Sequence, residues 1–318
     1  MPKMLINGVL RDRPLASDGR FHRLQSPFTS HISVQPGAPL PNTPGRYHLY
    51  LSKACPWCHG VDLILTLKGL RNAFSITWMD PVMSENGWVI DQTLFDDQSG
   101  VKRTRFLYEV YQSAKPDYTG PISVPVLLDK VTGRIVSTES AEVMRMLQTA
   151  FPDTAGPDLR PSNLCDEIDR IAEQIQSPIR EGVYRAGFAT SQIAYGEAVT
   201  ALFACLDAIE ETLGQRRFLA GDVLTEVDLK LFPTLLRFDP VYVTHFKTDY
   251  KRISDYVALS RYLADIMRLP GVADTVDMAH IRQHYFLSHR HINPSGIIPI
   301  GPASLRTADV SEMGLRDV

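Results

Sequence analysis

Five consecutive residues, Cys55-Pro56-Trp57-Cys58-His59, set two thiols and an imidazole at a spacing suited to thiol chemistry. The thiolate is the nucleophilic form of cysteine, and its free pKa of about 8.5 falls where a helix N-terminus offers unpaired N–H groups. Pro56 suits the first residue of such a helix, because its missing N–H would have had no intrahelical partner. Cys55 is then left at the cap, facing the amides that follow, as the candidate catalytic nucleophile. Cys58 stands one turn on, at the Cys-x-x-Cys spacing of thiol–disulfide oxidoreductases, and equally suits a small buried apolar residue. Cys165 and Cys205 lack a partner at that spacing and read as structural. The string also fits c-type haem attachment, which wants an exported chain, and a closed zinc site would need a fourth ligand that no second Cys/His pair supplies. No metal is expected. His284, His289 and His291 read as ordinary surface or hydrogen-bonded side chains.

A second constellation lies downstream. In Ser123-Val124-Pro125 the proline follows valine at a strand edge, where a cis peptide would turn the Val124 backbone N–H and C=O toward an extended peptide ligand. Ser137-Thr138-Glu139-Ser140 opens a helix, so a hydroxyl, a helix N-terminus and a carboxylate converge where an α-carboxylate and an α-ammonium could both be held. By itself such a string also suits a plain N-cap.

These residues need a scaffold, and the periodicity supplies one. Tyr47 to Leu51 reads as a strand, Pro56 to Leu70 as a helix, Ser75 to Met79 as a second strand, and Thr104 to Ser113 as a helix. Ser123 to Leu128 and Arg134 to Ser137 read as a hairpin, and Glu139 to Ala150 as a helix. That order predicts a mixed sheet with helices on its faces, an α/β fold over residues 47–151. Residues 1–46, rich in Pro and Gly, read as an extension wrapped on the surface. Phe151 to Pro161 is the linker candidate. Residues 163–290 read as an all-helical domain: Leu164, Ile168, Ile171 and Ile175 share a face, as do Val199, Leu202, Phe203, Leu206, Ile209 and Leu213. Thr225 to Asp228 resembles a capping box opening a helix through Leu236, and Tyr256 to Met267 reads as another. Residues 291–318 form an irregular tail.

A formal charge of −3 and no basic run argue against nucleic acid as a partner. The sequence start lacks the pattern of a secretory signal, and no uninterrupted apolar run reaches the roughly 20 residues of a membrane span, so a cytoplasmic protein without a membrane partner is expected.

Together these residues resemble the glutathione transferase superfamily, and most closely its xi class, the glutathionyl-hydroquinone reductases. The resemblance runs from about Gly19 to Pro302. It is carried by Gly19-Arg20-Phe21-His22-Arg23, Gly45 to Tyr50, Ala54-Cys55-Pro56-Trp57, Glu85-Asn86-Gly87-Trp88, Leu107 to Tyr111, Thr138 to Glu142, Gly182 to Ala189, Arg237 to Val243 and His284-Tyr285. It implies a thioredoxin-like N-terminal domain, a helical C-terminal domain, a homodimer, and glutathione as co-substrate. The implied activity removes glutathione from a quinone-derived aromatic thioether through a Cys55 mixed disulfide. By the same resemblance Trp88, Val124, Pro125, Glu139 and Ser140 bind glutathione, and Tyr184 and Tyr285 lie over the aromatic substrate. The family string Cys-Pro-Trp-Ala-His-Arg is broken here by Cys58 and Gly60. Cys58 thereby becomes a candidate resolving thiol, and a glutaredoxin-like or omega-like thiol transferase is the rival enzyme. A non-catalytic protein that keeps the glutathione site for binding is the rival from another class.

Overall fold

The computed structural model describes residues 3–13, 18–20, 22, 24, 26–152, 154 and 156–302. Its centre is a four-stranded mixed sheet of β3 (Tyr47–Leu51), β4 (Phe74–Trp78), β6 (Val126–Asp129) and β7 (Arg134–Ser137), in the order β4-β3-β6-β7. β3 pairs in parallel with β4 and antiparallel with β6. All five of its residues are buried, as a central strand covered on both faces requires. Even its one imidazole is satisfied internally, since the His48 ring bonds Ser75 Oγ at 2.8 Å and Thr77 Oγ1 at 3.0 Å.

Three helices pack on this sheet or beside it. α1 (Pro56–Leu67) buries Val61, Leu63, Ile64 and Leu65 completely, each contributing roughly 1.5–3 kcal/mol by leaving water. It stops at Leu67 rather than Leu70, because Gly69 adopts φ +65° just beyond the C-cap. α2 (Leu107–Ala114) starts three residues later than its pattern suggests. The Glu109 carboxylate accepts the Arg105 and Phe106 amides at 2.9 and 2.7 Å and so fixes the entry there. α3 (Ser140–Thr149) follows β7 directly.

The N-terminal extension is more ordered than its composition suggests. β1 (Lys3–Ile6) and β2 (Val9–Asp12) form an antiparallel hairpin that β5 (Gly120–Pro121) extends to a second sheet. Asn7 and Gly8 take φ 49° and 75°, the left-handed pair of a two-residue hairpin turn. Leu5 is fully buried and belongs to the main core. The physical cause is that Asn-Gly between two short apolar runs outweighs the irregular Pro-Gly stretch that follows. In the linker candidate Asp153 and Ala155 lie outside the described residues, as do Phe21 and Arg23 of the motif string and residues 303–318 of the tail.

From Cys165 onward the described chain is helical: α4 (Cys165–Ile175), α5 (Gly182–Gly187), α6 (Gln192–Gln215), α7 (Glu226–Arg237), α8 (Val243–His245), α9 (Val257–Met267) and α10 (Met278–Ser288). The capping box of α7 is present: the Asp228 carboxylate accepts the Thr225 amide at 2.8 Å. α6 is long and apolar enough to cross a membrane by length and mean hydropathy. Its apolar face, Ala194, Ala198, Leu202, Leu206 and Leu213, is nevertheless buried in the protein. α10, unmarked by any pattern used above, is amphipathic only weakly but is pinned by Asp277, whose carboxylate accepts the His280 amide at 2.8 Å. Within the first half α1 packs against α3, and the two halves meet where α1 packs against α7.

Candidate active site

Cys55 is the N-cap of α1, in extended conformation (φ −78°, ψ 121°), with Pro56 in the first turn as its type requires. The thiol is 8% exposed at the floor of a cavity of about 200 Å³. Burial pushes its pKa up, yet the Cys58 thiol and amide, the Trp57 amide and the Arg237 guanidinium all favour the anion and bring the net shift below the ordinary value. Cys58, one turn on and 1% exposed, is pushed well above it, first by burial and then by the neighbouring Cys55. The surroundings thus bias the two thiols in opposite directions, Cys55 toward the anion and Cys58 toward the neutral form.

The cavity wall brings Cys55 together with Trp88, Val124, Pro125, Glu139 and Ser140. The Val124–Pro125 peptide is cis, and the Val124 carbonyl accepts the Cys55 S–H at 3.8 Å. Glu139 is the N-cap of α3 and Ser140 its first residue, so the free amides of the helix start face the same space. Trp88, in the loop before α2, stacks flat on His284 from α10, with ring centroids 4.8 Å apart and planes within 3°. His284 is neither surface nor idle. Its Nδ1 bonds the Pro81 carbonyl at 2.9 Å, and burial pushes its pKa down to about 3, so a neutral ring props the tryptophan.

Tyr184 and Tyr285 are not on this wall. Tyr184 reaches the cavity through Trp57, its ring 4.9 Å from the indole. Its hydroxyl bonds the Tyr285 hydroxyl at 2.5 Å, and Tyr285 in turn bonds Tyr242 at 3.1 Å. Burial first, and the neighbouring phenols after it, raise Tyr184 and Tyr285 well above the ordinary value, so both remain O–H donors. Sequence reasoning did not single out Tyr242, although it stands in the quoted Arg237 to Val243 string.

Gly60 has a steric reason. A Cβ there would meet Met144 Sδ at 3.0 Å and the Leu229 carbonyl at 3.3 Å, so a larger side chain needs its neighbours on α3 and α7 to give by a few tenths of an ångström. His59 turns both ring nitrogens away from the thiols, toward Arg237 at 3.1 Å and Thr275 at 2.8 Å. Among the described residues no group of three or more His, Cys, Asp or Glu side chains is placed to hold a metal.

Two family models match the chain: the glutathione S-transferase N-terminal domain over residues 54–150 and the C-terminal domain over residues 181–265. The chain is 46% identical to the glutathionyl-hydroquinone reductase YqjG of Escherichia coli, over 99% of this chain and 98% of that protein. It is 43% identical to the glutathionyl-hydroquinone reductase PcpF of Sphingobium chlorophenolicum, over 94% and 96%. Among solved structures, the xi class glutathione transferase from Natrialba magadii superposes with a TM-score of 0.90 at 40% identity, covering 95% of this chain and 94% of that one. With these matches spanning nearly its whole length, the chain belongs to the glutathione transferase superfamily and, within it, to the xi class that includes the glutathionyl-hydroquinone reductases.

Proposed function

We propose that this protein removes glutathione from glutathionyl-hydroquinones, releasing the hydroquinone and forming oxidised glutathione. The single observation that carries the reading is the buried Cys55 thiol at the cap of α1. It is biased to the anion and opens into a cavity whose walls offer a peptide edge, a helix start and a carboxylate. The Val124 peptide, Glu139 and Ser140 suit the backbone and the α-amino acid end of glutathione, and Trp88 closes over it.

In the first step the Cys55 thiolate attacks the thioether sulfur. A sulfur–sulfur bond forms, the sulfur–carbon bond breaks, and the ring carbon keeps the electron pair and takes a proton. The Tyr184 and Tyr285 hydroxyls give up their mutual hydrogen bond for the hydroquinone oxygen and stabilise the charge that builds there. A second glutathione thiolate then attacks the glutathionyl sulfur and regenerates Cys55. That two relatives, at 46% and 43% identity, are named as such reductases supports this over the non-catalytic rival. A homodimer, which the family resemblance implies, and a cytoplasmic location belong to the same proposal; light scattering reads the first.

One observation favours a dithiol variant of the second step. Cys58 stands one turn along α1 from the Cys55 cap, and each thiol shifts the titration of the other, as near neighbours do. Cys58 can then displace the bound glutathione and leave an internal disulfide for glutathione to reduce.

The first test is Cys55→Ser with a glutathionyl-hydroquinone and glutathione, following hydroquinone by chromatography. Release should fall to background, because an un-ionised alcohol does not replace a thiolate in attack on sulfur. Near-normal release would refute the mechanism.

A further inference from the structure

α7 ends in a fully buried arginine. Arg237 is 0% exposed, and among the described residues no carboxylate lies within ion-pair distance of it. A buried cation without a counter-ion is costly unless its donors are all used, and these are spent with purpose. Nε donates to the Ala54 carbonyl at 2.8 Å and Nη2 to the Lys53 carbonyl at 2.7 Å. Nη1 donates to the Pro233 carbonyl at 2.8 Å and faces His59 Nδ1 at 3.1 Å.

That last contact sets the imidazole. An arginine N–H only donates, so His59 Nδ1 accepts, and the proton sits on Nε2. Nε2 then donates to Thr275 Oγ1, whose hydroxyl donates to the Val272 carbonyl at 2.6 Å. Burial and the guanidinium both keep His59 neutral. Every acceptor of Arg237 is therefore neutral. Two of them are the peptide groups just before Cys55, and the anion its charge can answer is the thiolate itself.

We propose that Arg237 is the positioning residue of the nucleophile: from the helical half it fixes the Lys53–Ala54 backbone and supplies the buried positive charge against which the Cys55 thiolate is stable. This rests on the reading of Cys55 as the nucleophile. The other groups near Cys55 are Cys58 on α1, Tyr184 on α5, Tyr242 after α7, and Arg13, Glu139 and Glu181 on the cavity wall. Of the charged groups among them, Arg237 is the one bonded to the loop that carries the thiol.

The test titrates Cys55 directly, by the pH dependence of its alkylation by iodoacetamide, mapped by peptide mass, so it needs no substrate. Arg237→Gln keeps a polar side chain without the charge and should raise the Cys55 pKa by about one unit or more, lowering alkylation near pH 6 about tenfold. Arg237→Lys keeps the charge and should hold the pKa within about half a unit of wild type while losing thermal stability, since one ammonium cannot span both carbonyls and His59. A folded Arg237→Gln protein whose Cys55 titrates as in wild type overturns the proposal. Should that variant not fold, wild type decides: a Cys55 pKa at or above the free value of about 8.5 overturns it, and one clearly below supports it. Loss of substrate turnover with an unchanged Cys55 pKa would count against Arg237 while leaving the reductase reading intact.

Discussion

Replacing Cys58 by Ala separates the two versions of the catalytic cycle. Two effects follow from the geometry. First, Cys55 loses the neighbouring thiol that favours its anion, so its pKa should rise. Second, the internal attacking group is gone. In wild type, Cys58 is held protonated partly by the Cys55 anion, and that cause vanishes once Cys55 carries glutathione; what remains is burial. Burial shifts reach about 3–5 units. Even a loss of roughly four orders of magnitude in thiolate leaves a well-aligned internal thiol, with an effective concentration of about 10⁵ M, ahead of millimolar glutathione. A single turnover on a glutathionyl-hydroquinone without added glutathione, quenched in acid and read by intact and peptide mass, should therefore show a Cys55–Cys58 disulfide and no adduct in wild type. Cys58→Ala should show one glutathione on Cys55 and still release hydroquinone. If both proteins carry the adduct and wild type forms no internal disulfide, Cys58 is a packing residue and the second glutathione does the resolving.

Tyr285→Phe removes the hydroxyl that bridges Tyr184 and Tyr242. Loss of one donor to a developing oxyanion typically costs a factor of about 10²–10³, so hydroquinone release should fall by that much, while exchange of Cys55 with oxidised glutathione changes little. Equal losses in both assays would make the tyrosine structural. Acid should destabilise the fold early. Burial pushes His48, His245 and His284 down to about 3, about 4 and about 3, so the unfolded chain binds more protons than the folded one below about 6.5, and stability present above that pH is lost on acidification. Each contributes up to about 1.4 kcal/mol per pH unit. Asp62, raised to about 6 mainly by burial, protonates in the folded state and offsets part of this. Urea unfolding should show a loss of at least about 2 kcal/mol between pH 6.5 and 5; a flat profile would mean that these rings charge in place.

The parts of the site that lie close together in the chain were legible in it. Cys-Pro at a helix start, valine before a cis proline and the Glu139-Ser140 helix opening are local conformational facts, and local residue types dictate them. What sequence could not show are the contacts made across the fold. Arg237 meets Lys53 and Ala54, His284 lies under Trp88, and Tyr242 joins Tyr285, and no periodicity marks which face of a buried helix will meet which loop. The N-terminal hairpin is a different kind of miss. Its Asn7-Gly8 turn was written in the sequence, but each strand has only four residues and β5 only two, too short to register as a pattern beside the Pro-Gly stretch.

The grip of Arg237 on the peptides before Cys55, with Tyr184 against Trp57 and His284 under Trp88, bears on how such proteins can diversify. Exchange of whole domains between relatives is a common route to new specificity, because a recombined half usually brings only its own pocket. Here the helical half also holds the loop that carries the thiol, so a chimera would change the substrate wall and the support of the nucleophile in one step. Recombinants would inherit mismatched contacts at the reacting atom itself. A point substitution in the substrate wall, by contrast, leaves the Arg237 contacts with Lys53 and Ala54 in place.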